Sequence, residues 1–166
     1  MVLYSVDNYQ TNSTFKGKFT LTINDTPKND TKANAIELTE TTKWCSGTNS
    51  FDNINATTDG LIPSVYSSLG NNVWFKFQAQ TNGIQITLDS DSLYSSFVMA
   101  LFDSSDQEIE ATRFNQGTSL ASNQLVVGEW YYLSVGAVFE AFSEFGLCLN
   151  DQISNDFRSD AIDLDF

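Results

Sequence analysis

Phe145-Gly146-Leu147-Cys148-Leu149-Asn150-Asp151 sets an apolar side chain at every second position, the period of a half-buried β-strand. The same run stands earlier in the chain as Phe19-Thr20-Leu21-Thr22-Ile23-Asn24-Asp25. The likeness continues through Asn29-Asp30 and Ala35-Ile36-Glu37-Leu38, matched by Asn155-Asp156 and Ala161-Ile162-Asp163-Leu164. The offset is 126 residues throughout (145 − 19 and 164 − 38), without a gap, and nine of the twenty aligned positions are identical. Chance would supply about one or two, so this is an internal repeat. Further upstream, Tyr4-Ser5-Val6 mirrors Leu133-Ser134-Val135. The expected organisation is a window on a tandem array: residues 1–25 as the last strands of a preceding module, 26–152 as one whole module, and 153–166 as the first strand of a third.

Other apolar runs alternate in the same way. Val73, Phe75 and Phe77 alternate with Trp74 and Lys76, and Ile84, Ile86 and Leu88 alternate with Gln85 and Thr87. Residues 97–102 are continuously apolar, which predicts a central strand covered on both faces. Residues 130–135 form a further aromatic-rich strand, and weaker strands are expected over 35–38, 109–112 and 124–127. Turn signals separate them at Asn82-Gly83, Asp59-Gly60, Gly70-Asn71-Asn72, Asp103–Asp106 and Val127-Gly128. No long stretch has a 3.6-residue period. The expected fold is all-β: an antiparallel, jelly-roll-like β-sandwich of about eight strands, flanked by partial copies of the same module.

A 126-residue period suits one domain with its own core. The chain of 166 residues is 41% hydrophobic, with 13 Phe, 6 Tyr and 3 Trp, as in a packed globular protein. Twenty-one acids against eight bases give a net charge of −13, which speaks against nucleic acid or an anionic membrane surface as partner. No segment approaches the roughly 18 apolar residues of a membrane-spanning helix, and Met1 is followed by no apolar signal region. Few Lys and abundant Asn, Thr and Ser point to an extracellular or cell-surface setting. Cys45 and Cys148 are the only cysteines, and Cys148 stands where the first copy has Thr22. Two readings stay open: two unpaired thiols, or a disulfide closing a loop of about 100 residues, worth up to ~4–5 kcal/mol in the chain-entropy model.

The order of Asn29-Asp30, Ala35-Ile36-Glu37-Leu38, Cys45-Ser-Gly-Thr-Asn49 and Asn72-Val-Trp-Phe-Lys-Phe77, closed by Gly128–Val135 and Phe145–Leu149, resembles the bacterial pre-peptidase C-terminal (PPC-like) domain. The resemblance spans residues 29–150 and is nearest to tandem types from large secreted proteins of Bacteroidota-like bacteria. It implies a β-sandwich that accompanies secreted hydrolases and cell-surface proteins, generally without catalysis. Some relatives bind Ca²⁺, collagen or polysaccharide.

Catalysis is poorly supported by the residues themselves. The chain has no His, so the common Ser/His and Cys/His pairs and His-based metal sites are absent. A glycosidase would need only two carboxylates, whose separation a sequence does not give. Oxygen ligands for Ca²⁺ are available at Asp103 and Asp106 with Glu108, at Asp89 and Asp91, and at Asp25 and Asp30, mirrored by Asp151 and Asp156. Each set also sits where Asp builds turns. Trp44, Trp74 and Tyr66 are candidates for stacking on sugar rings, against the alternative of plain packing. Asn12, Asn24, Asn29 and Asn55 head N-glycosylation sequons, and Asp91-Ser92-Leu93 resembles a short O-glycosylation motif associated with Bacteroidota.

The function expected is that of a non-catalytic structural or adhesive repeat module in a long secreted, surface or fibre-forming protein. Its partners would be neighbouring modules of the same array or other copies of the chain, since the apolar face of Phe19, Leu21 and Ile23 needs a partner sheet. The alternative is an accessory module of a secreted hydrolase, binding polysaccharide or extracellular protein.

Overall fold

The computed structural model describes residues 25–66, 70–90, 96–115, 118–138 and 143–152. The two flanking partial copies lie outside the described residues, apart from Asp25. Among the described residues ten strands build two sheets: β1 (Ile36–Glu37), β2 (Trp44–Cys45), β3 (Phe51–Asp52), β4 (Asn72–Gln78), β5 (Gly83–Asp89), β6 (Ser96–Asp103), β7 (Glu108–Asn115), β8 (Thr118–Ser122), β9 (Trp130–Ala137) and β10 (Glu144–Gln152). The first sheet has the order β1-β4-β9-β6-β7. The second has the order β2-β10-β5-β8, with β3 also paired to β10. The chain changes sheets at every connection from β4 to β10 except the β6–β7 hairpin, so strands close in sequence face each other across the core. Pairing is antiparallel except at the edge, where β1 runs parallel to β4 with Ile36 opposite Phe75.

Period-two alternation places one side of each strand in the core. Val73, Phe75 and Phe77 of β4, Met99 and Leu101 of β6, and Leu133 and Val135 of β9 face Ile84, Ile86 and Leu88 of β5 and Phe145, Leu147 and Leu149 of β10. Each is at most 2% exposed, and burying such a side chain contributes about 1.5–3 kcal/mol. The aromatic rings interlock: Phe75 meets Phe51 at 4.7 Å and Phe145 at 6.3 Å, and Phe97 meets Phe145 at 5.6 Å.

The first sheet is apolar on its outer face as well. Trp74, Ala100 and Phe102 form a second cluster there, covered by Ala35, Leu61, Ala111 and Tyr132. Val98 and Val138 form another under Tyr66. The segments 25–38 and 57–66 therefore act as a partial third layer, which is why β6 reads as an unbroken apolar run.

The strand expected over residues 124–127 is a correction. The strand of that region is β8, at Thr118–Ser122, where Leu120 is the only large apolar residue. Residues 124–127 form the connection to β9. Their backbone groups turn to irregular partners: Leu125 N–H donates to the Asn82 carbonyl at 3.0 Å, and Val126 N–H donates to the Tyr131 hydroxyl at 2.8 Å. Val126 and Val127 are consecutive and both point outward, at 60% and 62% exposure, which no strand facing a core allows.

Candidate functional site

The segment that opens the module folds back onto the outer face of the first sheet. Asn29 grips β4 in both directions: its side-chain amide donates to the Trp74 carbonyl at 2.9 Å, and its own carbonyl accepts from Trp74 N–H at 2.8 Å. Asp30 receives Thr57 N–H at 2.5 Å on one carboxylate oxygen and the Thr57 hydroxyl at 2.9 Å on the other. Lys32 begins a single 3-10 turn (Lys32–Asn34), with its N–H donating to the Asp59 carboxylate at 2.7 Å. Its ammonium lies over the Tyr132 ring, 4.2 Å from the centroid, and pairs with Asp106. Ala35, Ile36 and Leu38 then pack inward, and Leu38 N–H donates to the Lys76 carbonyl at 2.8 Å.

The acids nominated for Ca²⁺ are distributed differently from the sequence expectation. Among the described residues no three His, Cys, Asp or Glu side chains converge as metal ligands. Asp30 is committed to Thr57, and Asp151 accepts from the Thr42 hydroxyl at 2.8 Å. Asp25 is exposed, and Asp156 lies outside the described residues. Asp103 builds the β6–β7 turn, receiving the N–H groups of Ser105 at 2.8 Å and Gln107 at 2.9 Å. These bonds, the Gln107 N–H foremost, hold its carboxyl below the ordinary carboxylate range, against the opposing effect of burial. The cation at this turn is the chain's own Lys32, which pairs with Asp106.

Of the aromatic candidates, Trp74 is corrected by its burial. Trp74 is fully buried, its ring 5.8 Å from that of Phe102, so it offers no face to a ligand. Its indole N–H has no hydrogen-bond partner among the described residues. Trp44 is half-buried against the core, and Tyr66 is half-buried beneath the Arg113 guanidinium, 4.5 Å from its centroid. Sequence reasoning missed Trp130 and Tyr132, neighbours on the outer face of β9, both half-buried. Lys76 lies 5.0 Å over the Trp130 ring and pairs with Glu37 at 3.3 Å.

Of the sequon residues, Asn29 is 5% exposed with its amide committed to Trp74, so it is no acceptor for a glycan in the folded module. Asn55 is exposed in a left-handed turn conformation. Asn12, Asn24 and Ser92 lie outside the described residues.

A second cluster of specific contacts lies where β2 and β10 meet. Cys45 and Cys148 are directly opposed and joined by a disulfide, with Cα atoms 4.1 Å apart. Ser46 brackets Leu147: its N–H donates to the Leu147 carbonyl at 2.9 Å, and its hydroxyl accepts from Leu147 N–H at 3.0 Å. Gly47, at φ +83°, then lays its peptide flat over Gly146. A shallow cleft of 160 Å³ opens beside this seam, lined by Cys45, Thr48, Asp89 and Cys148 among others. Within it the Thr48 hydroxyl donates to the Asp89 carboxylate at 3.1 Å.

No protein-family model matches the chain, and no curated protein matches it. Among solved structures it is similar to the pre-peptidase C-terminal domain of a collagenase from Bacillus anthracis. That likeness has 15% identity and a TM-score of 0.45, covering 76% of this chain and all of that one. It is also similar to the Yersinia pseudotuberculosis-derived mitogen, at 11% identity and a TM-score of 0.33, over 54% of this chain and 90% of that one. Neither likeness reaches the level at which a family or an activity passes to this chain.

Proposed function

We propose that the chain belongs to an extracellular tandem array of β-sandwich modules with a mechanical or adhesive role and no catalytic centre. One observation carries the reading. The residues that dock the opening segment, Asn29, Asp30, Lys32, Ala35, Ile36 and Leu38, recur 126 positions later as Asn155, Asp156, Arg158, Ala161, Ile162 and Leu164. Between them Thr31 and Asn34, whose side chains bond to each other at 3.1 Å, change to Phe157 and Asp160. A docking signature repeated just past β10 is what an array requires, because each module must start where the last one ends. The Cys45–Cys148 bridge supports an oxidising compartment. Only residues 153 and 154 separate the end of β10 from the second Asn-Asp pair, which leaves little chain between one module and the next.

The test is the denatured mass of the polypeptide isolated from its source, with negative-stain images of the same sample. A chain several times longer than 166 residues, seen as beaded rods, is the expected result. A monomeric chain of about this length, forming no assemblies, refutes the array. A chain of this length that forms fibres would make the partial copies strand donors.

A second reading, an accessory module of a secreted hydrolase that binds polysaccharide or extracellular protein, would place its contacts at Trp130 and Tyr132, half-buried neighbours on the outer face of β9 beside the ammonium groups of Lys76 and Lys32. Glycan-array binding lost on Trp130→Ala would establish it; no binding by the wild type removes it.

A further inference from the structure

The chain contains two segments written for the same place in the fold. In the described module that place is the β10 slot, between β5 on one side and β2 and β3 on the other. It is lined for Phe145, Leu147 and Leu149, which are 0%, 1% and 0% exposed. Segment 19–25 carries Phe19, Leu21 and Ile23 at the same parity, followed by the same Asn-Asp pair. By hydrophobic pattern alone either segment fills the slot. Competition of this kind is what leads repeated modules to exchange strands.

The two segments differ on the outward face. Gly146 is replaced by Thr20 and Cys148 by Thr22. A Cβ at position 146 would fall within contact distance of the Gly47 carbonyl oxygen, closer than real Cβ atoms come, with the Gly47 carbonyl carbon at 3.2 Å and Thr48 Cα at 3.3 Å. All three are backbone atoms, so no side chain can swing aside. The Gly47 peptide is itself held in place by Ser46, Ser50 and the neighbouring disulfide. Position 148 meets Cys45 directly across the seam, where only a second cysteine can form the bond.

We propose that Gly146 and Cys148 form a two-part key, one part steric and one covalent, by which the β10 slot accepts its own strand and rejects the 19–25 segment of the same chain or of a second copy. The key rests on the internal repeat and the β2–β10 seam and is independent of whether the chain functions as an array. It also explains why a sandwich with a well-filled core carries a disulfide between adjacent strands: the bond marks which strand belongs.

The full 166-residue chain tests this, because the key can be given to the competitor without touching the folded module. Wild type, Thr22→Cys, and the double variant Thr20→Gly/Thr22→Cys are unfolded, reduced, and refolded in a glutathione redox buffer. Disulfides are then mapped by mass spectrometry and oligomers separated by size. The double variant should join Cys45 to the introduced thiol, within or between chains, at least about tenfold more than Thr22→Cys, since that variant keeps the Thr20 side chain that collides with Gly47. If the two variants mispair equally, the steric part of the key does not exist. If the double variant forms only Cys45–Cys148, the slot identifies its strand by other means. Either result overturns the proposal.

Discussion

Asn29 provides a stringent test of how the opening segment is held. Its side chain is 5% exposed, and its amide donates to the Trp74 carbonyl at 2.9 Å. Asn29→Ala removes this one bond and leaves the backbone bond from Trp74 N–H in place. The cost should be about 1–2 kcal/mol, the value of a buried hydrogen bond whose acceptor is partly stranded. For a domain of this size that lowers the melting temperature by about 4–10 °C. Asn29→Asp keeps the shape but turns the donor into an anion facing a carbonyl oxygen, with the Asp30 carboxylate next in the chain. It should cost about 3 kcal/mol or more at neutral pH. Burial without a partner raises the folded-state pKa of the introduced carboxyl above its unfolded value, so its protonated form is the one the fold tolerates. The defect should therefore shrink as pH falls through that raised pKa, because protonation restores a donor. Urea unfolding followed by tryptophan fluorescence reports directly, with Trp74 lying beneath the latch. If Asn29→Asp is as stable as Asn29→Ala at pH 7, or if Ca²⁺ rescues it selectively, the latch is wrong and the Asn-Asp pair returns to the role of metal ligand.

The remaining predictions concern the acids and the aromatic rings. Trp74→Ala should cost about 3–5 kcal/mol or prevent folding, whereas Trp130→Ala should stay within about 1 kcal/mol, both read from urea midpoints. The stability that Asp103 contributes is present above the ordinary carboxylate range and is lost as pH falls through its lowered folded-state pKa. The melting-temperature difference between wild type and Asp103→Asn should therefore close below about pH 4. Millimolar Ca²⁺ or EDTA should move the melting temperature of the wild type by no more than about 1 °C, because Lys32 already pairs with Asp106. A rise of several degrees with Ca²⁺ alone would mean that a site forms which the described residues do not assemble.

The long strands were legible because each repeats its pattern often enough to be counted. β4, β5 and β10 alternate over seven to nine residues, β9 is rich in aromatic residues, and residues 97–102 of β6 are continuously apolar. β8 was not legible, because Thr118–Ser122 contains a single large apolar residue; residues 124–127 drew the prediction through their β-branched valines. β2 and β3, at two residues each, are too short to carry any period. At the candidate site, parity correctly placed Trp74 on the second face of its strand. Parity does not say what covers that face, and the cover comes from Leu61 and Ala35, distant in sequence. The acids were visible but their cation was not, since Lys32 lies 74 positions from Asp106. The repeat held a usable clue there: Lys32 recurs as Arg158, so a positive charge is kept while its neighbours change.

The disulfide between β2 and β10 also limits how far a module can lengthen when pulled from its two ends. Cys45 and Cys148 are 103 positions apart, so with the bond intact most of the sandwich is a closed loop that bears no load. Only residues 25–45 and 148–152 can be drawn out, giving about 90 Å of extra contour length at the reach of an extended chain. Reducing the bond releases about 350 Å more. A load that strips the opening segment and the end of β10 would thus meet a hard stop, with the core still folded and ready to recoil.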